Sequence, residues 1–530
     1  MRCSFIVDGI RLSVMAAEEE AFSAAAAALR RAGVRAGDFS FHIRKKSVDA
    51  RHRGDVSFVY SVIADAEITA APDAKRLAAA GVKIAEDEPM TLTFGTERLT
   101  APIHIVGFGP AGMFCALLLA ENGYRPVVCE RGADVDARVK AVERFLDTAV
   151  LDENTNVQFG AGGAGTFSDG KLTTRIGDPL CSYVLRRFTE FGAPEDILYR
   201  AKPHVGTDNL REVVRRLDAK IRALGGEIRY ETRVTDVADH ALFVDGAEEK
   251  SGATVLAVGH SARDLYEKLL ADGFSIVPKA FSCGVRVEHL QSELDEAMYG
   301  DFANKYGLGH AEYALSYREG ERGVYSFCMC PGGYVMASAS ENGGVVTNGM
   351  SNYRREGRNA NAAIAVSVLP EDYGNTPRGA IAFQRSLERE AFRAGGGAFR
   401  APAQLMGDFL SGKSGTEPRR ILPTYANGNV EVTDLHGVLP PFITSMLETG
   451  FRRFGRTIRG FDAPDVLLTG VETRTSAPIR ILRGDDYIAP GFTGIYPAGE
   501  GAGYAGGIMS AAVDGIRVAL AIMRRFAPPD

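Results

Sequence analysis

Residues 103–132 read IHIVGFGPAGMFCALLLAENGYRPVVCERG, and the organisation of the chain follows from this stretch. A short apolar run, Ile103 to Val106, leads straight into Gly107-Phe-Gly109-Pro-Ala-Gly112, and the glycines open an apolar helix from Met113 to Glu121. A second apolar strand, RPVVCE, then ends in Glu130. In such a unit Gly107 permits the tight turn, Gly109 lets backbone approach a pyrophosphate with no Cβ in the way, and Gly112 lets helix and strand pack closely. The phosphates would sit at the helix N-terminus, where unpaired N–H groups and the helix dipole favour anions. Glu130 follows Gly107 by roughly twenty residues, the distance at which an acid accepts hydrogen bonds from a ribose diol. Strand, glycines, helix and acid in this order predict a dinucleotide site.

Two more windows fit the same glycine pattern by letter. Gly160-Ala-Gly162-Gly163-Ala-Gly165 leads into polar TFSDGKLTT, so no apolar helix opens on it. Gly501-Ala-Gly503-Tyr-Ala-Gly506 follows a strand and opens a helix, but no partner strand follows to complete a βαβ unit. One Rossmann unit is therefore complete, and two further glycine loops can converge on it. Fourteen of the 60 glycines fall in the windows 107–112, 160–170 and 494–507, so a good part of the glycine excess marks close backbone approach to one extended ligand.

Around this unit the pattern divides the 530 residues into four stretches. Residues 1–95 read as a small α+β domain, with strands Ser4 to Val14, Phe39 to Ile43 and Val56 to Ile63 and an Ala-rich helix Glu18 to Arg31. An acidic, Pro-containing connection, AEDEPMTLTFGTERLTAP, marks its end. Residues 101–275 form the first part of the nucleotide-binding domain. Residues 276–468 are mixed, with strands FSCGVRVEH and GVYSFCMC and helices near Asn361 to Val368, Ala380 to Ala394 and Ile443 to Arg453, and read as an inserted domain. Residues 469–530 return to strand, glycine turn and long helix.

Composition excludes several classes. A chain of this length buries proper cores, which removes the small disulfide-stapled and disordered classes. The net charge of −6 announces no nucleic-acid binder. Seven scattered cysteines read as reduced thiols. With no signal-peptide pattern and no apolar run long enough to span a bilayer, a cytoplasmic protein without membrane association is the expectation. Nothing matches G-x-S-x-G, H-E-x-x-H or a Walker lysine, so hydrolase and kinase readings have no support. No metal site is expected either, since Cys283 with His289 cannot complete a zinc ligand set.

The long motifs narrow the reading. GFGPAGMFCALLLAENGYRPVVCERG resembles the FAD-binding start of single-Rossmann flavoproteins, and YPAGEGAGYAGGIMSAAVDGIRVA resembles their terminal FAD segment. NVQFGAGGAGTFSDGKL, FCMCPGGYVMASASENGGVVTNGMSNY and GVETRTSAPIRILR resemble the NAD(FAD)-utilising FAD-dependent dehydrogenases that carry an N-terminal ferredoxin-like domain. The resemblance implies an α/β fold: a Rossmann-like FAD-binding domain interrupted by an α+β substrate domain and preceded by a small ferredoxin-like α+β domain. It implies FAD as cofactor, with Gly107, Gly109 and Gly112 around the pyrophosphate and Glu130, followed by Arg131, at the adenosine ribose. Gly162, Gly163, Ser168, Asp169, Gly170 and Lys171 would run beside the isoalloxazine and ribityl chain. Val234 would offer backbone to the adenine edge, and Gly259 would lie near the pyrophosphate. Gly499 and Glu500 stand where many relatives have Gly-Asp, and Gly507 and Ile508 open a helix aimed at the flavin N1–C2=O region.

The implied activity is that of an FAD-dependent oxidoreductase moving a hydride between FAD and a small organic substrate, with NAD(P)H as a transient electron donor. No residue is assigned as acid or base. Two alternatives stay open: a flavin-dependent RNA-modifying enzyme, and an FAD-holding redox sensor or assembly factor. The first would use the basic cluster Arg44, Lys45, Lys46, Arg51, His52 and Arg53, read as a hairpin loop that is either plainly solvated or polyanion-binding. Cys328 and Cys330 would share one face of a strand, as buried packing or as a redox pair. Lys171 would hold a substrate anion or lie on the surface. His310, Arg354, Arg358 and Arg474 are candidates for a substrate carboxylate.

Overall fold

The computed structural model describes residues 1–51, 55–85, 90–174 and 176–529, which form two compact units. The first comprises residues 1–91, 194–204 and 294–311. Its strands Arg2–Ser13, Ala36–Asp49, Ser57–Ile68 and Val82–Ile84 and helices Glu19–Arg31 and Ala74–Ala79 alternate as βαββαβ. The strands pair antiparallel with the second at one edge, then the third, the first and the fourth, which is the ferredoxin-like arrangement. Ala21, Ala25, Ala28 and Leu29 are the buried face of the first helix.

The first half of the basic cluster, Arg44 to Lys46, is not in a hairpin loop. Arg44, Lys45 and Lys46 lie within the edge strand Ala36–Asp49, where the register to the neighbouring strand shifts between Ile43 and Lys45. Carboxylates face several of the charges: Lys46 Nζ is 2.8 Å from Glu18, Arg51 2.7 Å from Asp49 and Arg44 3.7 Å from Asp8. The strand edge is covered at this point, because Lys46 N donates to the Tyr199 carbonyl at 2.7 Å and the Lys46 carbonyl accepts from Ala201 N at 2.9 Å. His52 and Arg53 of the cluster, and residues 86–89 of the acidic connection, lie outside the described residues.

In the second unit a five-stranded parallel sheet runs in the order Ile495–Pro497, Ala253–Leu256, Ile103–Val106, Val127–Cys129, Glu227–Arg229. The helix Pro110–Glu121 connects the Ile103–Val106 and Val127–Cys129 strands. It is apolar all round, and Ala111 through Ala120 are all buried, as expected of a helix covered on every side. The last helix, Ile508–Arg525, packs on it almost backbone to backbone: a Cβ on Gly515 would lie 2.1 Å from the Ala111 carbonyl oxygen. Below the sheet, Leu256, Leu265, Tyr266, Leu269 and Phe274 form part of one continuous apolar core.

The mixed stretch builds a seven-stranded sheet in the order Ser316–Glu319, Arg322–Cys330, Asn359–Val368, Phe281–Leu290, Leu467–Glu472, Ala401–Leu405, Val430–Val432. The boundary expected between residues 468 and 469 falls inside the Leu467–Glu472 strand of this sheet. The helix expected at Asn361 to Val368 is instead a strand, Asn359–Val368, in the sheet interior. Its alanines favour a helix in isolation. Pairing on both edges, with Phe281–Leu290 and Arg322–Cys330, and near-complete burial override that preference. Helices Pro377–Ala394 and Pro441–Thr457 stand where amphipathic periodicity places them.

Candidate active site

Gly107 and Gly112 take the turn and packing positions that their spacing predicts. Gly107 has φ +102°, and a Cβ there would lie 2.4 Å from the Ala257 carbonyl oxygen. At Gly112 a Cβ would come within 2.0 Å of the Gly107 carbonyl oxygen, so only glycine lets the helix sit this close to its strand. Gly109 and Gly163 pack backbone to backbone at the cavity edge, where a Cβ on Gly163 would lie 2.9 Å from the Gly109 Cα.

A cavity of about 340 Å³ opens above this turn, within the usual range for ligand pockets. Of the expected site residues, Gly107, Gly109, Glu130, Arg131, Gly163, Ser168, Asp169, Gly170, Lys171, Val234, Gly259, Glu500, Gly507 and Ile508 line it. Gly112, Gly162 and Gly499 do not line it, and their parts are structural. Gly112 is a helix-packing residue, Gly162 (φ +82°) turns the chain against Thr166, and Gly499 N donates to Asp514 Oδ2 at 2.7 Å. Asp514 also pairs with Arg483 at 2.6 Å, which ties the glycine loop to the last helix. Two helix N-termini, at Gly109–Pro110 and Gly507–Ile508, reach the cavity wall.

Glu130 is buried and already engaged. Its Oε2 accepts from Phe108 N at 2.8 Å, and its Oε1 from Gly132 N and Gly160 N, both at 2.9 Å. A carboxylate offers about four acceptor positions, so one is left for a ligand hydroxyl. Beside it the Arg131 guanidinium lies over the Phe159 ring at 4.2 Å and donates to Asp264 at 3.0 Å. Asp264 also accepts from Arg233 at 2.7 Å.

A second group of lining residues concentrates charge. Asp169, fully buried, accepts from Arg355 Nη2 at 2.7 Å and from the Ser351 hydroxyl, and Lys171 Nζ stands 3.7 Å away. Burial alone would depress the Lys171 pKa, but Asp169 and Glu312 outweigh it and hold the ammonium above the ordinary lysine value. Burial pushes Glu500 up to about 7. The neighbouring His260 is pressed down to about 3 by burial and by Arg474 and Arg263, which keeps its imidazole neutral. Arg474 is anchored by Glu388 at 3.0 Å and donates to Ser261 at 2.9 Å. A wall holding a lysine, an arginine and a carboxyl poised near neutrality can orient an anionic or carbonyl-bearing molecule and hold or release a proton beside it.

Of the four carboxylate-binding candidates only Arg474 lines the cavity. His310 pairs with Asp295 at 2.8 Å in the other unit, and Arg354 and Arg358 are exposed. Residues that spacing did not point to include Gln158, His260, Ser261, Asn348 and Glu472, all on the cavity wall. They come from loops and strand ends that only the folded sheets bring together. All seven cysteines are free thiols. Among the described residues no helix is long and apolar enough to cross a membrane, and no group of three or more His, Cys, Asp or Glu is placed to hold a metal ion.

Residues 280–475 match a domain family described as FAD-dependent protein, C-terminal domain-like, and residues 8–65 match a domain of unknown function. By its description the matched C-terminal family is FAD-dependent, which together with the dinucleotide turn gives FAD as the cofactor. Among solved structures, the glycine oxidase of Geobacillus kaustophilus is 12% identical, with 83% of this chain and 97% of that one covered and a TM-score of 0.36. CtdE in complex with FAD and substrate 4 is 13% identical, with 79% and 80% covered and a TM-score of 0.31. A protein of Clostridium beijerinckii, described as an uncharacterized protein, is 45% identical over 497 residues, which cover 92% of this chain and 93% of that protein. The chain therefore belongs to the family of the C. beijerinckii protein.

Proposed function

We propose that this FAD-dependent oxidoreductase moves a hydride between FAD extended through the cavity and a small organic substrate held beside Lys171, Arg474 and Glu500. One observation carries the reading: a single cavity joins the Gly107–Gly112 turn and the Glu130 carboxylate to a charged wall at a second helix N-terminus. The site fits a dinucleotide, because Gly107, Gly109, Pro110 and Gly163 border the cavity and none of the three glycines puts a Cβ into it. In this reading Gly107, Gly109 and the helix N-terminus at Pro110 hold the pyrophosphate, and Glu130 takes a ribose hydroxyl on its remaining acceptor position. Arg131 frames the adenosine, Val234 offers backbone to the adenine edge, and Gly259 lies near the pyrophosphate. Ser168 to Lys171 and Gly507–Ile508 border the ring system, and Glu500 borders the ribityl chain.

When bound, FAD supplies the two-electron hydride chemistry. The N-terminus of Ile508–Arg525 contributes positive potential at the ring, which favours the reduced, anionic form. Lys171 and Arg474 attract an anionic substrate group. Glu500, with a pKa raised to about 7, is a wall group able to take or give a proton at neutral pH. The narrower likeness to NAD(FAD)-utilising dehydrogenases supports NADH or NADPH as a visiting donor.

Purified protein is expected to take up FAD and turn yellow. Anaerobic mixing with NADH or NADPH is expected to bleach the flavin band near about 450 nm. Protein that stays colourless with FAD contradicts the flavin site. Yellow protein that neither nicotinamide reduces contradicts the proposed donor and favours the sensor alternative.

A further inference from the structure

The two cysteines of the Cys328-Met-Cys330 segment meet at a backbone irregularity beside the cavity. In the pairing of Arg322–Cys330 with Asn359–Val368, Phe327 faces Ala363 and Cys330 faces Asn361, so three steps on one strand cover two on the other. This is a bulge. Cys328 adopts φ +44°, the left-handed region that non-glycine residues seldom occupy. The flat-strand alternation expected for the pair is thus replaced by a compressed loop. Phe327 and Cys328 line the cavity, and Cys330 is fully buried behind them.

The bulge is held from beneath. Arg286, fully buried, donates to the Cys328 carbonyl at 2.9 Å, to Asn361 Oδ1 at 3.0 Å and to both oxygens of Glu472 at 2.9 and 3.0 Å. Cys330 Sγ lies 3.3 Å from the same Cys328 carbonyl. A side chain at Gly349 would collide with both, since a Cβ there would stand 2.3 Å from Arg286 Nη1 and 2.8 Å from Cys330 Sγ. A strained backbone with this much support around it points to a functional rather than an incidental arrangement.

Two further points bear on reactivity. Residues i and i+2 of a flat strand are separated by about 6.6–6.8 Å, the outer limit for a disulfide, and here Cys330 Sγ turns back to 3.3 Å from the Cys328 carbonyl. The Cys328 thiol is also held below the ordinary cysteine pKa, first by the adjoining Cys330 side chain and then by Arg286 and Lys171, while the Cys330 thiol is driven up. One partner is thus a ready nucleophile and the other keeps its proton.

We propose that Cys328 and Cys330 form a second redox centre, a dithiol that closes to a disulfide by passing two electrons to the flavin bordering Cys328, and reopens by the reverse step. The Cys328 thiolate and the Cys330 thiol lose an electron pair and one proton as the S–S bond forms, and FAD takes up the pair and that proton as the anionic reduced flavin. This centre rests on the FAD placement proposed above. A disulfide closed across so short a loop is strained, and strained disulfides are the easily reduced, labile ones.

The test uses the full chain with FAD bound. After oxidation with diamide, alkylation in denaturant and trypsin digestion, the peptide 323–354 is expected to be lighter by two hydrogens and unalkylated at both cysteines, while the other five cysteines are alkylated. Anaerobic dithionite titration of the oxidised protein is expected to consume four electrons per FAD, and two in Cys330→Ser. Full alkylation of the peptide after diamide, or uptake of only two electrons by the wild-type protein, overturns the dithiol centre even if Cys330→Ser fails to fold. Normal FAD binding in that case leaves the flavin reading standing, whereas failure to bind FAD removes both.

Discussion

Replacing Arg138 with methionine is expected to lower the melting temperature by on the order of 10 °C and to weaken FAD binding sharply, although Arg138 does not line the cavity. Its side chain is fully buried and binds five backbone carbonyls: Asn156 and Val157 at 2.9 Å, Ala161 at 2.6 Å, Gly163 at 2.9 Å and Gly160 at 3.2 Å. The loop so gathered carries Gln158, Phe159 and Gly163 to the cavity wall. No carboxylate makes a hydrogen bond to the guanidinium, and burial presses its pKa down to about 9. Removing the fork orphans several carbonyls at roughly 1–3 kcal/mol each before relaxation, so a net loss of about 4 kcal/mol is expected, on the scale of breaking a buried ionic site. Arg138→Lys keeps the charge but not the planar fork, and should fall between the two. Thermal unfolding and flavin fluorescence titration check this. Wild-type stability in Arg138→Met would contradict the assignment.

The second large effect is expected at Glu388. It lies between two buried guanidiniums, with Arg263 bound through both oxygens at 2.7 Å and Arg474 at 3.0 and 3.1 Å, and it accepts from the Thr473 hydroxyl at 2.7 Å. Glu388→Ala removes the carboxylate that the two cations share and leaves Arg263 only Glu341, at 3.5 Å, a loss of about 3–5 kcal/mol, and frees Arg474 from the cavity wall. Burial alone would raise the carboxyl, but Arg263 and Arg474 hold it well below the ordinary value of 4.5. A depressed carboxyl stabilises the fold above its unfolded pKa and loses that contribution as pH falls towards its folded value. The difference in melting temperature between wild type and Glu388→Gln should therefore be full at neutral pH and shrink below about pH 4.5. A difference that does not change with pH would contradict a charged Glu388.

These two residues also show where sequence reasoning stops. The nucleotide turn was legible because its determinants are local: Gly107, Gly109, Gly112 and Glu130 sit at fixed spacings on one βαβ unit. The converging loops at Gly163 and Gly507 were legible as glycine windows, since glycine marks close backbone approach. Arg138 looks like any charged residue on the amphipathic helix Val135–Thr148, because its partners are carbonyls of a loop that folding alone brings to it. Glu388 likewise meets Arg263 and Arg474 only across three separate elements. Asn359–Val368 was read as a helix because alanine propensity is local, whereas its strand character comes from neighbours on both edges. Cys328-Met-Cys330 was visible as a pair, but its bulge depends on the register of a partner strand.

The central claim is that one extended FAD occupies the cavity, from the Glu130 carboxylate to the helix opening at Ile508. A crystal structure of the FAD complex tests it most directly. The expected result is a ribose hydroxyl hydrogen-bonded to Glu130, the pyrophosphate at Gly107–Pro110, and the isoalloxazine between the Ser168–Lys171 loop and the Gly507–Ile508 N-terminus, with Cys328 beside it. An FAD bound elsewhere, or with its ring at the Glu130 side of the cavity, would contradict the account.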